Sequence, residues 1–227
     1  MLMISSTPGL QLIKPKCKTV KYFIDTEFIE GFHKPLFGKR RHFIDLISIG
    51  VVSEDNRGFY FISSEYNYND ADQWVKENVI IPMYRKIVNG DNRNRYSAEN
   101  FHKTYGEPVD YISRKLLKWI GNDKDISFYG YYSDYDWVMF CSMFGRMIDL
   151  PKGFPMYCRD LKQMMDEKVA GFTNSDFFTH FHQKEPLTFD DKLRLYKDGA
   201  NFPKQHDEHN ALSDAAWNKA LYEYLTK

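Results

Sequence analysis

The stretch "KYFIDTEFIE", residues 21–30, has the aromatic and β-branched residues of a strand, yet it holds two carboxylates, Asp25 and Glu27. Side chains alternate along a strand, so Asp25 and Glu27 share one face while Ile24, Thr26 and Phe28 take the other. Two neighbouring acids repel, and burial removes several kcal/mol of hydration from each ion, so the pair needs compensation. A Lys or Arg could supply it, or a divalent cation bound through oxygen. The alternative is an edge strand whose acids face water.

Outward from this strand, "FIDLISIGVV" (43–52) and "GFYFISS" (58–64) are further β-forming runs on either side of the turn-like "SEDNRG", which predicts an antiparallel meander of three strands. "ADQWVKENVI" (71–80) reads as helix. In "VDYISRKLLKWI" (109–120), Val109, Ile112, Leu116, Leu117 and Ile120 recur at helical spacing between Pro108 and Gly121, which predicts a helix over that span. "DISFYGYY" (125–132) predicts a fourth strand, "DYDWVMFCSMFGRM" (134–147) a helix, "FPMYC" (154–158) a short fifth strand and "DLKQMMDEK" (160–168) a helix. "ALSDAAWNKALYEYL" (211–225) closes the chain with an apolar helical stripe. Three strands followed by alternating helix and strand imply an α/β fold with a mixed central sheet flanked by helices. The expected organisation is an irregular lead-in over 1–19 and one domain over 20–227, with an inserted segment of short helical pieces at about 170–205.

With 227 residues, 43% of them hydrophobic, the chain is long and apolar enough for one well-buried core. Lys plus Arg equals Asp plus Glu at 31 each, so nucleic-acid binding would need local patches or metals rather than an overall basic field. Cys17, Cys141 and Cys158 are odd in number and lack C-x-x-C spacing, which argues against a disulfide framework and fits a reducing cytoplasm. No segment has the length and apolarity of a membrane span, so the expectation is a soluble cytoplasmic protein that engages no membrane.

Two further acids sit at strand-to-helix junctions, where functional groups of α/β folds gather. Asp136, in "GYYSDYDWVMF", either caps its helix in a box with Ser133 or projects over the end of the sheet; Asp134 is an N-cap candidate. In "HNALSDAAWN", Asn210 as a cap would place Asp214 at the end of the first helical turn and leave His209 on the preceding loop.

The succession of D-x-E on a first strand, Asp at a later junction and H-x-x-x-x-D at a last helix resembles the DEDDh group of 3′–5′ exonucleases, which have a ribonuclease H-like fold. "FIDTEFIE", "IDLISIGVV", "CRDLKQM" and "HNALSDA" are most similar to the small bacterial and phage 3′–5′ exoribonucleases of that superfamily. The resemblance spans about residues 20–226, and Tyr131 departs from it where the superfamily often has Asn. It implies two divalent cations, Mg²⁺ or Mn²⁺, held by Asp25 as bridging ligand, Glu27, Asp136 and Asp214, with His209 as general base. Four carboxylates supply the hard oxygen ligands such a pair needs, and imidazole is the side chain whose ordinary titration range spans neutral pH. In the metal-free cluster at least one carboxyl is expected to titrate high. Thr26, Phe28 and Tyr135 are the expected substrate contacts, and the expected partner is the 3′ end of single-stranded RNA, with DNA as the alternative. A non-catalytic nucleic-acid-binding module on the same fold is the other reading, and a homodimer is compatible with the aromatic-rich composition.

Other features have weaker claims. Lys34, Lys39, Arg40 and Arg41 between the first two strands, and Arg93 and Arg95, either contact a nucleic-acid backbone or form solvated turns. His180, His182, His206 and His209 form a loose zinc-like pattern. Asp160 reads as a helix N-cap, and Asp190 and Asp191 as loop charges.

Overall fold

The structure, a computed structural model, describes residues 19–33, 37–88, 96–177 and 186–227. The lead-in apart from residue 19, together with Lys34, Arg93, Arg95, His180 and His182, lies outside the described residues. A five-stranded sheet in the order β3-β2-β1-β4-β5 organises the chain. Strands β1 (Lys21–His33), β2 (Arg41–Ser53) and β3 (Gly58–Ile62) pair antiparallel, as the meander predicts. Strand β4 (Ser127–Gly130) lies parallel to β1, and β5 (Arg159–Asp160) parallel to β4.

The first hairpin is longer than its sequence reading. Residues 29–33 extend β1 beyond the strand expected at about 20–28, and Arg41 opens β2, so the basic cluster is in part strand. Lys39 and Arg40 remain exposed in the turn. The expected strand at 154–158 is displaced to Arg159–Asp160. Pro155 has no N–H for a ladder, and Met156 and Tyr157 turn to solvent instead.

Helix α1 (Gln73–Val75) runs through a π-turn at Lys76–Ile80 into α2 (Ile81–Val88). Pro82 cannot donate to the preceding turn, which is a physical reason for the wider register there. After α3 (His102–Tyr105), helix α4 (Val109–Ile120) has the span its spacing predicts, ending where Gly121 adopts φ 68°. Helix α5 (Asp134–Ser142) is shorter than the reading to residue 147, because the chain turns over at Gly145, φ 111°. Helix α6 (Leu161–Ala170) follows, capped by the Asp160 carboxylate, which accepts from the Gln163 N–H at 2.9 Å as expected. The segment at 170–205 contains an ordered helix, α7 (Phe189–Lys197). Asp191 is part of its capping box with Thr188 rather than a loop charge, and Asp190 lies in its first turn. Helix α8 (Ala211–Leu225) closes the fold.

Alternation along β1 divides the interior. Tyr22 and Ile24 pack with Ile112, Leu116 and Phe140 of α4 and α5 on one face. Phe23 packs with Leu161, Met165, Leu221 and Leu225 of α6 and α8 on the other. Among the described residues no helix is long and apolar enough to cross a membrane.

Candidate active site

Asp25 and Glu27 continue the Phe23 face of β1, so they point toward α8. What brings α8 close is Gly50, which pairs with Asp25 across the β1–β2 ladder. A Cβ at position 50 would stand 2.1 Å from the Ala211 carbonyl oxygen, so only glycine lets the first turn of α8 rest on the sheet there. Asn210 caps that turn, its side chain accepting from the Ser213 N–H at 3.1 Å, and Asp214 thereby faces Asp25 and Glu27. One ligand oxygen from each of Asp25, Glu27 and Asp214 lies within 4.8 Å of the others.

Asp136 arrives from the opposite side of the strand. The β4 ladder pairs only with Lys21–Phe23, so the β1 edge beyond it is open. The carboxylate of Asp136 fills that gap, accepting from the Thr26 N–H at 2.8 Å and the Thr26 hydroxyl at 2.6 Å, both on Oδ1. It is buried, and it makes no capping box with Ser133. Ser133 holds the N-cap position of α5 and donates its N–H to Asp160 at 2.8 Å, while Asp134 begins the helix as an exposed residue and caps nothing. Asp136 therefore joins the pocket of Asp25, Glu27 and Asp214 without belonging to the tight trio.

His209 lines the same pocket from the loop before α8. Its backbone has φ 64°, a left-handed conformation that a non-glycine residue adopts against a penalty of about 1 kcal/mol or more. That conformation lets its N–H donate to Asp214 Oδ2 at 2.9 Å. The imidazole meets the exposed Trp74 edge-on, with ring centroids 4.8 Å apart. Phe28 lies half-buried at the pocket wall just after a register shift between Glu27 and Phe28, and stacks on Tyr135 at 5.6 Å. Tyr135 is outside the pocket lining and donates its hydroxyl to Glu30 at 3.2 Å.

The electrostatics of the cluster follow from burial and mutual repulsion. Burial raises the Asp25 carboxyl well above its ordinary range, and the charges of Asp136, Glu27 and Asp214 add to it. Glu27 is pushed up to about 8, first by burial and then by Asp214 and Asp136. Burial lifts Asp136 to about 6 against the opposing pull of the two Thr26 hydrogen bonds. Asp214 is also raised by burial, opposed by hydrogen bonds from Gln205 and His209. Four carboxyls that resist ionisation together are what a site for divalent cations presents when metal-free, since cation charge is the missing compensation. The donor set is all oxygen, which suits Mg²⁺ or Mn²⁺ rather than zinc. Among the described residues this trio is the one cluster of metal-ligating side chains, and exposed His206 joins no such group.

The pocket also contains Gln205, Trp217 and Asn218, none of them singled out by sequence, and Tyr131. Asn218 follows Asp214 by one helical turn, a spacing that could have identified it. Its Nδ2 donates to the Ile24 carbonyl at 2.9 Å, holding β1 at the residue before Asp25. Gln205 and Trp74 carry no local signal, because only tertiary packing brings them here.

No family model matches the chain. Two curated Mycobacterium tuberculosis proteins, 3′–5′ exoribonucleases of strains CDC 1551 and H37Rv, are each 32% identical to it over 152 residues, covering 66% of this chain and 76% of the relative. Among solved structures, E. coli exonuclease I in complex with a dT13 oligonucleotide aligns with a TM-score of 0.49 at 13% identity, over 92% of this chain and 41% of that one. S. pombe Pop2p in its Mg²⁺- and Mn²⁺-bound form aligns with a TM-score of 0.44 at 14% identity, over 89% and 81%.

Proposed function

Since the chain belongs to the 3′–5′ exoribonucleases of the DEDDh group, we propose that it removes nucleotides one at a time from the 3′ end of single-stranded RNA, using this pocket and two divalent cations. The observation that carries the reading is the convergence of Asp25, Glu27 and Asp214 within 4.8 Å, with Asp136 and His209 in the same pocket.

Asp25, Glu27 and Asp214 would hold one cation, and Asp25 with Asp136 the other. When bound, the cations supply Lewis acidity and neutralise charge at the scissile phosphate. The chain's own groups do the rest. His209 is the general base: water forms a bond to phosphorus, its proton passes to the imidazole, and the P–O3′ bond breaks. A nucleoside 5′-monophosphate leaves, and the O3′ oxyanion of the shortened strand takes up a proton from solvent to become its new 3′-hydroxyl. Thr26 fixes Asp136 through two hydrogen bonds to one oxygen, leaving the second oxygen for the site. The Phe28–Tyr135 stack offers an aromatic surface for the terminal base at the pocket wall.

The test is shortening of a 5′-labelled oligonucleotide in Mn²⁺ or Mg²⁺, run with free and 3′-blocked ends and with matched RNA and DNA. Stepwise loss from a free RNA 3′ end, abolished by chelator, is expected. Equal degradation of blocked and free ends would refute the polarity, and faster loss of DNA would refute the preference for RNA.

A further inference from the structure

The chain between α7 and α8 is exposed along much of its length, yet it is tied at several points. The Phe202 ring meets Tyr196 of α7 at 6.2 Å and Tyr224 of α8 at 5.5 Å. The next residue, Pro203, accepts a hydrogen bond through its carbonyl from Trp217 Nε1 at 3.0 Å. Further on, Asp207 pairs with Lys86 of α2 and its carboxylate accepts from the Ser213 hydroxyl at 3.4 Å. Between these anchors stands Gln205, whose Nε2 donates to Asp214 Oδ1 at 2.6 Å.

The Asp214 carboxylate is therefore held at both oxygens. Gln205 takes Oδ1 and the His209 N–H takes Oδ2, which sets the plane of the group while each oxygen keeps a second lone pair. The neighbouring acids Asp25 and Glu27 have no comparable side-chain donor among the described hydrogen bonds. Their negative charge would drive an unrestrained Asp214 away from the trio. Partners of this kind orient a metal-ligating carboxylate.

We propose that Gln205 is a positioning residue for Asp214, and that α7 and the loop after it serve to present Gln205 to the pocket. This rests on the reading of that pocket as a divalent-cation site. It also assigns a role to the part of the 170–205 segment that lies in α7 and beyond: a buttress for a ligand on another helix. Gln205 is an exposed residue, so replacing it removes a donor without opening a core cavity.

The experiment is a Mn²⁺ titration of the full chain without substrate, followed by the electron paramagnetic resonance of free Mn²⁺, on wild type, Gln205→Met and Asp25→Asn. Gln205→Met keeps the length of the side chain and loses the amide donor. The expected result is Mn²⁺ binding weakened roughly 10-fold or more, with the melting temperature in chelator unchanged. In RNA hydrolysis, KM should stay as in wild type and lost turnover should return at high Mn²⁺. Wild-type Mn²⁺ affinity in Gln205→Met, while Asp25→Asn has lost binding, overturns the positioning role and leaves the cation site standing. A fall in melting temperature that parallels the lost affinity makes Gln205 a packing residue and also overturns it. If Asp25→Asn binds Mn²⁺ as wild type does, the cation site itself fails and the role of Gln205 with it.

Discussion

Raising the pH of the chelator-treated protein from about 5 to 8 forces charge onto a pocket built to share it with cations. Glu27 gives up its proton at about 8 in the fold against 4.5 ordinarily, so over that interval the folded state holds more protons than the unfolded one. Stability from this group is therefore complete below 4.5 and is lost as pH climbs through 8. At about 1.4 kcal/mol per pH unit, Glu27 in isolation corresponds to roughly 5 kcal/mol. The carboxyls titrate as a coupled set and the pocket can relax, so a realistic loss is about 2–4 kcal/mol. For a chain of this size each kcal/mol moves the melting temperature by about 2–4 °C, giving a fall on the order of 5–15 °C. Glu27→Gln removes the titrating charge with little change in shape. In chelator at pH 8 it should melt higher than wild type while its hydrolysis is essentially gone. The assay is thermal unfolding by circular dichroism at pH 5, 6, 7 and 8, with chelator or millimolar Mn²⁺, on both proteins. Manganese should raise the wild type most at pH 8 and move Glu27→Gln much less. Parallel pH profiles for the two proteins in chelator, or an equal Mn²⁺ effect on both, would show that the raised Glu27 carboxyl is not what costs the fold its stability.

Three shorter predictions address the other parts. His209→Ala should lower single-turnover hydrolysis of labelled RNA by about 10²–10⁴-fold with Mn²⁺ affinity retained, and equal turnover would remove the imidazole from the chemistry. Gly50→Ala sets a methyl group against the Ala211 carbonyl; a loss of about 2–3 kcal/mol in chemical denaturation is expected, and unchanged stability would mean that α8 is not seated on β2 as described. Thr26→Val deletes the hydroxyl donor to Asp136 but keeps the N–H. It should lower kcat/KM roughly five-fold, the equivalent of about 1 kcal/mol, more strongly at pH 6.5 than at 8.5, because Asp136 then keeps its proton to higher pH; a uniform loss across pH would argue against this cause.

Much of the fold was legible because its signals are local. β-branched and aromatic runs mark β1 to β3, helical spacing between Pro108 and Gly121 marks α4, and the Asn210 cap places Asp214 in the first turn of α8. The short fifth strand was misplaced, since two residues gain their ladder only from a neighbour distant in sequence. The reading of α5 ran past its end because apolar residues continue beyond the turn at Gly145.

For the site, the sequence by itself determined the inventory: five residues whose chemistry and order suit metal-assisted hydrolysis, two of them on one face of one strand. It left open whether Asp136 caps a helix or reaches the sheet. Tertiary structure decided that, because the choice depends on a Thr26 N–H left unpaired where the β4 ladder stops. It also decided which outside donors hold the cluster, Gln205 on Asp214 and Asn218 on the strand carrying Asp25. A hydrogen bond across a pocket depends on how elements pack, and spacing along one segment records only that segment.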